Sequence, residues 1–169
     1  PPLTSGIGPR MKIIKPNRVV HSFTQNLEGS PEAVFQMMCP LREADWIVGW
    51  DPSLVVSLSG LAEEDCVFTT SAKPADAIWY VTTYDKKARF IEMIKITPGV
   101  TACRITISIR PNSQGCQAEI TYAHTSLGPS GDEFVRSFTA EFYEKFMQDW
   151  ESRVNHYLRF GTALGQEGG

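Results

Sequence analysis

From Val19 onward the chain alternates apolar and polar positions in short runs, then changes period near residue 130. Alternation places successive side chains on opposite faces of a strand, whereas a repeat near 3.6 marks one face of a helix. Val19 to Leu27 predicts a first strand with His21, Phe23, Gln25 and Leu27 on one face. Ser30-Pro31-Glu32 is a helix start, with an N-cap, a proline at the first turn and an acid behind it. Val34, Phe35 and Met38 give that short helix its apolar side, Pro40 breaks it, and Leu41 to Ile47 predicts a second short helix. Six strand-like runs follow: Leu54–Leu58, Cys66–Ser71, Ala77–Tyr84, Phe90–Thr97, Val100–Arg110 and Cys116–Leu127. The separators, among them Ser59-Gly60, Asp85-Lys86-Lys87 and Pro98-Gly99, are turn formers, and connections this short favour an antiparallel meander.

The last segment, Asp132 to Arg159, carries Phe134, Phe138, Phe142, Phe146 and Trp150, each four residues after the one before. Residues four apart share a helix face, so the pattern predicts one helix of about 28 residues, roughly 42 Å long. Ser130 is its predicted N-cap, Glu133 completes a capping box, Asp132 suits the positive helix end, and Gly161 is placed to stop it. Such an aromatic stripe needs a cover, and the strands supply one. The expected class is α+β: a curved seven-stranded antiparallel sheet wrapped around a long C-terminal helix, with two short helices between strands 1 and 2.

Length and composition keep this picture to one domain. The chain has 169 residues, 42% of them hydrophobic, which is enough to build a single core. Residues 1–16 read as a flexible leader with Met11 as a candidate original start, 17–161 as the domain, and 162–169 as a tail. Pro1 to Arg10 lack the apolar stretch of a secretory signal, and no apolar run approaches the roughly 20 residues of a membrane span. With net charge −3 and no basic run, nucleic acid is not an expected partner. Cys39, Cys66, Cys103 and Cys116 form no C-x-x-C pair, so free thiols in a reducing cytoplasm are expected. His21, His124 and His156 lack H-x-x-x-H or H-E-x-x-H spacing, and neither metal nor cofactor is expected.

The order strand, two short helices, six strands, long helix is similar to that of the SRPBCC superfamily. This helix-grip group includes START lipid-binding domains, pollen-allergen-like proteins and polyketide cyclases. The segments carrying the resemblance are Ser30-Pro31-Glu32-Ala33-Val34-Phe35, Cys39-Pro40-Leu41-Arg42-Glu43-Ala44-Asp45-Trp46 and Gly49-Trp50-Asp51. Tyr122-Ala123-His124-Thr125 and Trp150 with Asn155-His156-Tyr157-Leu158 add to it. The resemblance covers roughly residues 17–161. It implies a cavity between sheet and long helix, commonly filled by an apolar small molecule.

Strand parity nominates what faces such a cavity. Cys103, Ile105, Ile107 and Ile109 form one apolar face, and Ala118, Ile120, Tyr122 and His124 share another. In the Phe90 run, Phe90, Glu92, Ile94 and Ile96 share the face read as inward, leaving Lys95 outside. Trp79 and Val81 are the inward choice in the Ala77 run. An inward His124 and Glu92 form a candidate general-base pair for a cyclase or dehydratase, as the resemblance suggests. Each has a plainer reading as a hydrogen-bonded or ion-paired core group. Tyr122, Trp46, Trp50, Trp79, Phe134, Phe138 and Phe142 are the candidate ligand contacts. Glu43 and Asp45 beside Trp46 and Trp50 supply polar anchors for a cavity mouth, although such aromatics equally serve as packing lids.

Three functions stay open: binding of a small, largely apolar molecule; a polyketide cyclase- or dehydratase-like enzyme; and a protein-interaction module of chaperone-activator type. The last predicts a filled, narrow cavity and a large apolar surface patch, of which an exposed Trp46 or Trp50 would be the simplest sign. A homodimer is compatible with an edge strand, but no residue argues for one.

Overall fold

The computed structural model describes residues 11–165. The expected leader and tail fall partly on residues 1–10 and 166–169, which lie outside the described residues. Strand β1 (Arg18–Leu27) is followed by helix α1 (Pro31–Met37) and a 3-10 turn over Glu43–Asp45. The chain then forms β2 (Leu54–Val56), β3 (Val67–Thr70), β4 (Ala77–Asp85), β5 (Phe90–Thr97), β6 (Thr101–Asn112) and β7 (Gly115–Ser126). Helices α2 (Pro129–Ser137) and α3 (Ala140–Phe160) end it.

All neighbouring strands are antiparallel, in the order β1-β7-β6-β5-β4-β3-β2. The meander therefore runs back across the sheet from β2 to β7, and β1 closes onto β7. This is the helix-grip arrangement: a seven-stranded sheet holding α3 against one face. That face is built from Phe68, Val81, Ile91, Met93, Ile105, Ile107 and Ile120, all buried. Gln25, in the same layer, is fully buried and donates from Nε2 to the Met147 carbonyl on α3 at 3.0 Å. A polar group taken out of water keeps its place by such a bond.

α1 starts as its sequence dictates. Ser30 is the N-cap, its hydroxyl accepting from the Ala33 amide at 3.2 Å, and Pro31 occupies the first turn. The second short helix shrinks to the single turn over Glu43–Asp45, which has no side-chain cap. Isolated turns of this kind are stable only when tertiary packing holds them. Trp46, directly after the turn, supplies that packing: it is fully buried, and its indole N–H donates to the Met37 carbonyl at 3.1 Å.

The expected single C-terminal helix is two helices. Phe138 (φ −80°, ψ 65°) leaves the helical region, and Thr139 (φ −75°, ψ 162°) restarts it as the N-cap of α3. The Thr139 hydroxyl accepts from the Phe142 amide at 3.1 Å, satisfying one of the free donors of the new helix. Ser130 lies inside α2, whose N-cap is Gly128. Gly161 ends α3 in the left-handed region at φ 68°, as expected. The break takes the Phe ladder out of register. α3 buries Tyr143, Met147, Trp150 and Val154, while Phe142 and Phe146 are 55% and 40% exposed.

α2 comes very close to the β5–β6 turn. A Cβ built on Gly131 would run into the Val100 carbonyl oxygen and crowd the Ser126 hydroxyl. Because backbone must move to admit a methyl group here, Gly131→Ala is expected to cost about 1–3 kcal/mol. Urea denaturation reads this directly. A midpoint equal to wild type would show that α2 shifts freely.

Candidate functional site

A cavity of about 280 Å³ lies between the sheet and α3. Its floor is Trp79 from β4, Met93 and Lys95 from β5, and Tyr122 from β7. Phe146 and Trp150 of α3 form the roof, and Pro40, Glu43, Ile47 and Trp50 form the wall beside the 3-10 turn. Asp149 and Arg153, paired at 2.8 Å on α3, stand at its rim.

Aromatic packing fixes the walls. Phe68 stacks on Trp79 at 5.2 Å between ring centroids, and Trp50 meets Trp79 edge-on at 5.9 Å. Trp50 also donates its indole N–H to the Pro40 carbonyl at 2.7 Å. Trp46 stacks on Trp150 at 5.8 Å from behind and does not itself line the cavity.

Three polar side chains, Glu43, Lys95 and Tyr122, reach this apolar space. Glu43 is only 8% exposed and makes none of the ion pairs among the described residues. Burial pushes its carboxyl up to about 8, so near neutral pH it is predominantly protonated. Lys95 also lacks an ion pair among the described residues; burial holds its amine below the usual lysine value. Its Nζ lies 4.8 Å from the centre of the Trp79 ring. Burial, and then the neighbouring Glu43, push the Tyr122 hydroxyl well above its ordinary value. The Trp150 indole N–H is buried without a hydrogen-bond partner among the described residues.

The structure brings together Trp50, Trp79 and Tyr122 from the residues nominated by sequence, and leaves the rest outside the cavity. Glu92 is on the opposite face of the sheet. It pairs with Thr106 across β6 and accepts from the Thr82 hydroxyl at 2.9 Å. Met93 pairs with Ile105 and Lys95 with Cys103, so β5 has the reverse of the expected parity. Lys95, expected outside, is the group that faces the cavity, and it was missed for that reason.

His124 does face inward but sits beside the cavity, wedged edge-on between Phe134 at 4.7 Å and Phe138 at 4.6 Å. Its Nε2 is 3.6 Å from the Cys103 sulfur, and its Nδ1 is buried without a partner among the described residues. Burial, with Lys95 and His21 adding to it, lowers its imidazole to about 4, so the ring is neutral at physiological pH. Phe134 borders a separate surface hollow with Lys73 and Pro74, and Phe142 points largely to solvent. Among the described residues no group of three or more His, Cys, Asp or Glu is arranged to hold a metal ion. No helix among them is long and apolar enough to cross a membrane.

The chain matches no protein-family profile and no curated protein sequence. Solved structures do resemble it. Truncated norcoclaurine synthase from Thalictrum flavum aligns over 93% of this chain and 100% of its own, with 11% identity and a TM-score of 0.62. The same enzyme in complex with dopamine and hydroxybenzaldehyde covers 85% of this chain and 87% of its own, at 10% identity and TM-score 0.56. Ara h 8.0201 covers 84% and 98%, at 10% identity and TM-score 0.59. Likeness at such low identity speaks to architecture, and the strand order, the short elements after β1 and the C-terminal helix all coincide with it. This chain has the helix-grip fold that these solved structures share.

Proposed function

We propose that the protein binds one small, largely apolar aromatic molecule in the cavity between Trp79 and Trp150. Glu43, Lys95 and Tyr122 orient it. The observation that carries this reading is an aromatic-walled cavity holding polar groups without partners among the described residues. In a folded interior such groups are normally satisfied, and a bound ligand would satisfy them. A volume of about 280 Å³ lies just below the roughly 300–1,000 Å³ of common ligand pockets, which suits one or two rings better than a long acyl chain. Burying roughly 200 Å² of ring surface at about 25 cal/mol per Å² gives about 5 kcal/mol before association costs. Micromolar affinity needs about 8 kcal/mol, so the polar groups decide which aromatic molecule is held. That a relative in fold holds dopamine and hydroxybenzaldehyde supports the same size class. Four buried free cysteines support a reducing, cytoplasmic setting.

Calorimetric titration with 2-naphthol tests the reading. Wild type is expected to saturate at micromolar concentrations, and Ile47→Trp, which fills the wall, to bind at least tenfold more weakly while remaining folded. A folded Ile47→Trp protein that binds as tightly as wild type, or a wild type that does not saturate, would overturn it.

A second reading, a cyclase- or dehydratase-type reaction on a carbonyl compound, has one observation in its favour. A protonated carboxyl and an amine of lowered basicity share the cavity, which is what proton transfer to and from a bound carbonyl requires. Glu43 and Lys95 would then carry the roles first assigned to Glu92 and His124. The interaction-module reading predicts a filled, narrow cavity and a large apolar surface patch, with an exposed Trp46 or Trp50 as its simplest sign. Trp46 is fully buried, Trp50 is half-buried, and the cavity is open.

A further inference from the structure

Lys95 is in an unusual position for a lysine. Its cross-strand neighbours on the inner face are Trp79 and Cys103, both buried, and neither is a carboxylate. Among the described residues it makes no ion pair, and its nitrogen lies 4.8 Å from the centre of the Trp79 ring. Desolvation of this kind favours the neutral amine, whose nitrogen lone pair is nucleophilic. Asp149 and Arg153 pair with each other at the rim, and the other polar side chains of the cavity are donors. A protonated Glu43 carboxyl and the Tyr122 hydroxyl both seek an acceptor oxygen. One functional group complements both halves of this set. A carbonyl offers an electrophilic carbon to the amine and an acceptor oxygen to the donors. An alcohol would leave the amine unused, and a carboxylate would need it charged.

Resting on the binding reading above, we infer that the cavity takes an aromatic aldehyde and that Lys95 Nζ condenses with it to form a reversible imine. The amine lone pair attacks the carbonyl carbon, and a proton passes from nitrogen to oxygen, giving a carbinolamine. The C–O bond then breaks as the Glu43 carboxyl gives its proton to the departing hydroxyl. One water leaves, with an iminium on Lys95 and a carboxylate on Glu43. Return of the iminium proton to Glu43 leaves the neutral imine, and addition of water reverses the sequence. No electrons are gained or lost. The apolar walls favour the condensation by excluding the water that would reverse it.

Trapping tests this. The intact protein is incubated with 2-naphthaldehyde and sodium cyanoborohydride at neutral pH, digested, and mapped by mass spectrometry. Lys95 is expected to be alkylated at least tenfold faster than Lys145, which pairs with Glu141 on the exposed side of α3. Glu43→Gln, which keeps a hydrogen-bonding group but has no proton to transfer, is expected to slow trapping at Lys95 about tenfold and leave Lys145 unchanged. In Lys95→Arg the Lys145 rate should stay at its wild-type value, and naphthaldehyde should be released fully on dialysis. If Lys95 reacts no faster than Lys145 although 2-naphthol binds, the imine is overturned and the binding reading stands. If 2-naphthol does not bind and Lys95 is not preferred, both fall. Tighter binding of 2-naphthoate than of the aldehyde, with no adduct at Lys95, would also overturn the imine and assign the amine to a carboxylate.

Discussion

Glu43→Gln is expected to abolish the loss of stability that wild type suffers between about pH 6.5 and 8. The folded protein holds the Glu43 proton up to about pH 8, against an ordinary value of 4.5. A carboxyl whose folded value is raised contributes stability that is complete below the unfolded value and lost as pH rises through the folded one. The slope is about −1.4 kcal/mol per pH unit between the two. His124 works in the opposite direction. Its folded value, about 4 against 6.5, gives stability that is complete above 6.5 and lost as pH falls through 4. From about 4.5 to 6.5 the two slopes cancel, so the melting temperature should be nearly level.

Above 6.5 only the Glu43 slope remains of this pair. It removes roughly 2 kcal/mol by pH 8, or about 4–8 °C for a chain of this size. Lys95, Tyr122 and Cys103 also titrate abnormally along the inner face. They are common to both proteins, so subtracting the Glu43→Gln curve from the wild-type curve isolates the carboxyl. Calorimetric scans across pH 4.5–8 are the measurement. Parallel curves for the two proteins would mean that Glu43 is ionised in the fold. The acid role assigned to it in imine formation would then have no basis.

Which parts of this site can be read from the sequence follows from how unlike the two faces of each strand are. β6 alternates Cys103, Ile105, Ile107 and Ile109 with Arg104, Thr106 and Ser108, and the apolar set is the buried one. A one-residue error there would bury an arginine, so the register is strongly specified. β5 offers no such contrast. Ile91 and Met93 on one face are as apolar as Phe90, Ile94 and Ile96 on the other, and the parity turned on Glu92 and Lys95 alone. Placing the lysine outside follows the general exposure of lysine. Pairing with β6 overrides it. The parity of β5 is therefore set by its pairing with β6 and not by its own composition.

The C-terminal helices failed for a different reason. Five aromatics at spacing four suggest one rod, and Ser130 with Glu133 mimics a helix start. The true start at Thr139 has only its hydroxyl on the Phe142 amide to mark it. The buried set Tyr143, Met147, Trp150 and Val154 has spacing 4-3-4, the signature of a core-facing stripe. Once the break is recognised, that spacing was available in the sequence. Glu43 was visible too, as an acid beside two tryptophans. Its burial was not, because it depends on how an isolated turn docks between sheet and α3 rather than on any local period.

Trp46→Ala is expected to have the largest effect of any single substitution at this site, about 3–5 kcal/mol, or roughly 6–20 °C in melting temperature. Trp46 is fully buried, and truncation both opens a cavity and strands the Met37 carbonyl that its indole N–H satisfies. The damage reaches the ligand cavity. The Trp46 ring is stacked against Trp150, whose other surroundings form the cavity roof, and the Trp46 and Ile47 amides both donate to the Glu43 carbonyl. Without the ring, nothing of comparable size holds the 3-10 turn to the helix, so Glu43 should become hydrated and its carboxyl should return toward the ordinary range. Trp46→Phe separates the two contributions. It keeps a stacked ring while losing the N–H, and about 1–2 kcal/mol should be lost with the Glu43-linked pH slope preserved. Urea titrations of the three proteins at pH 6.5 and pH 8 measure both quantities. If Trp46→Ala keeps the same difference between the two pH values as wild type, the Trp46–Trp150 stack does not hold Glu43 in its buried state, and the turn is anchored from the sheet side instead.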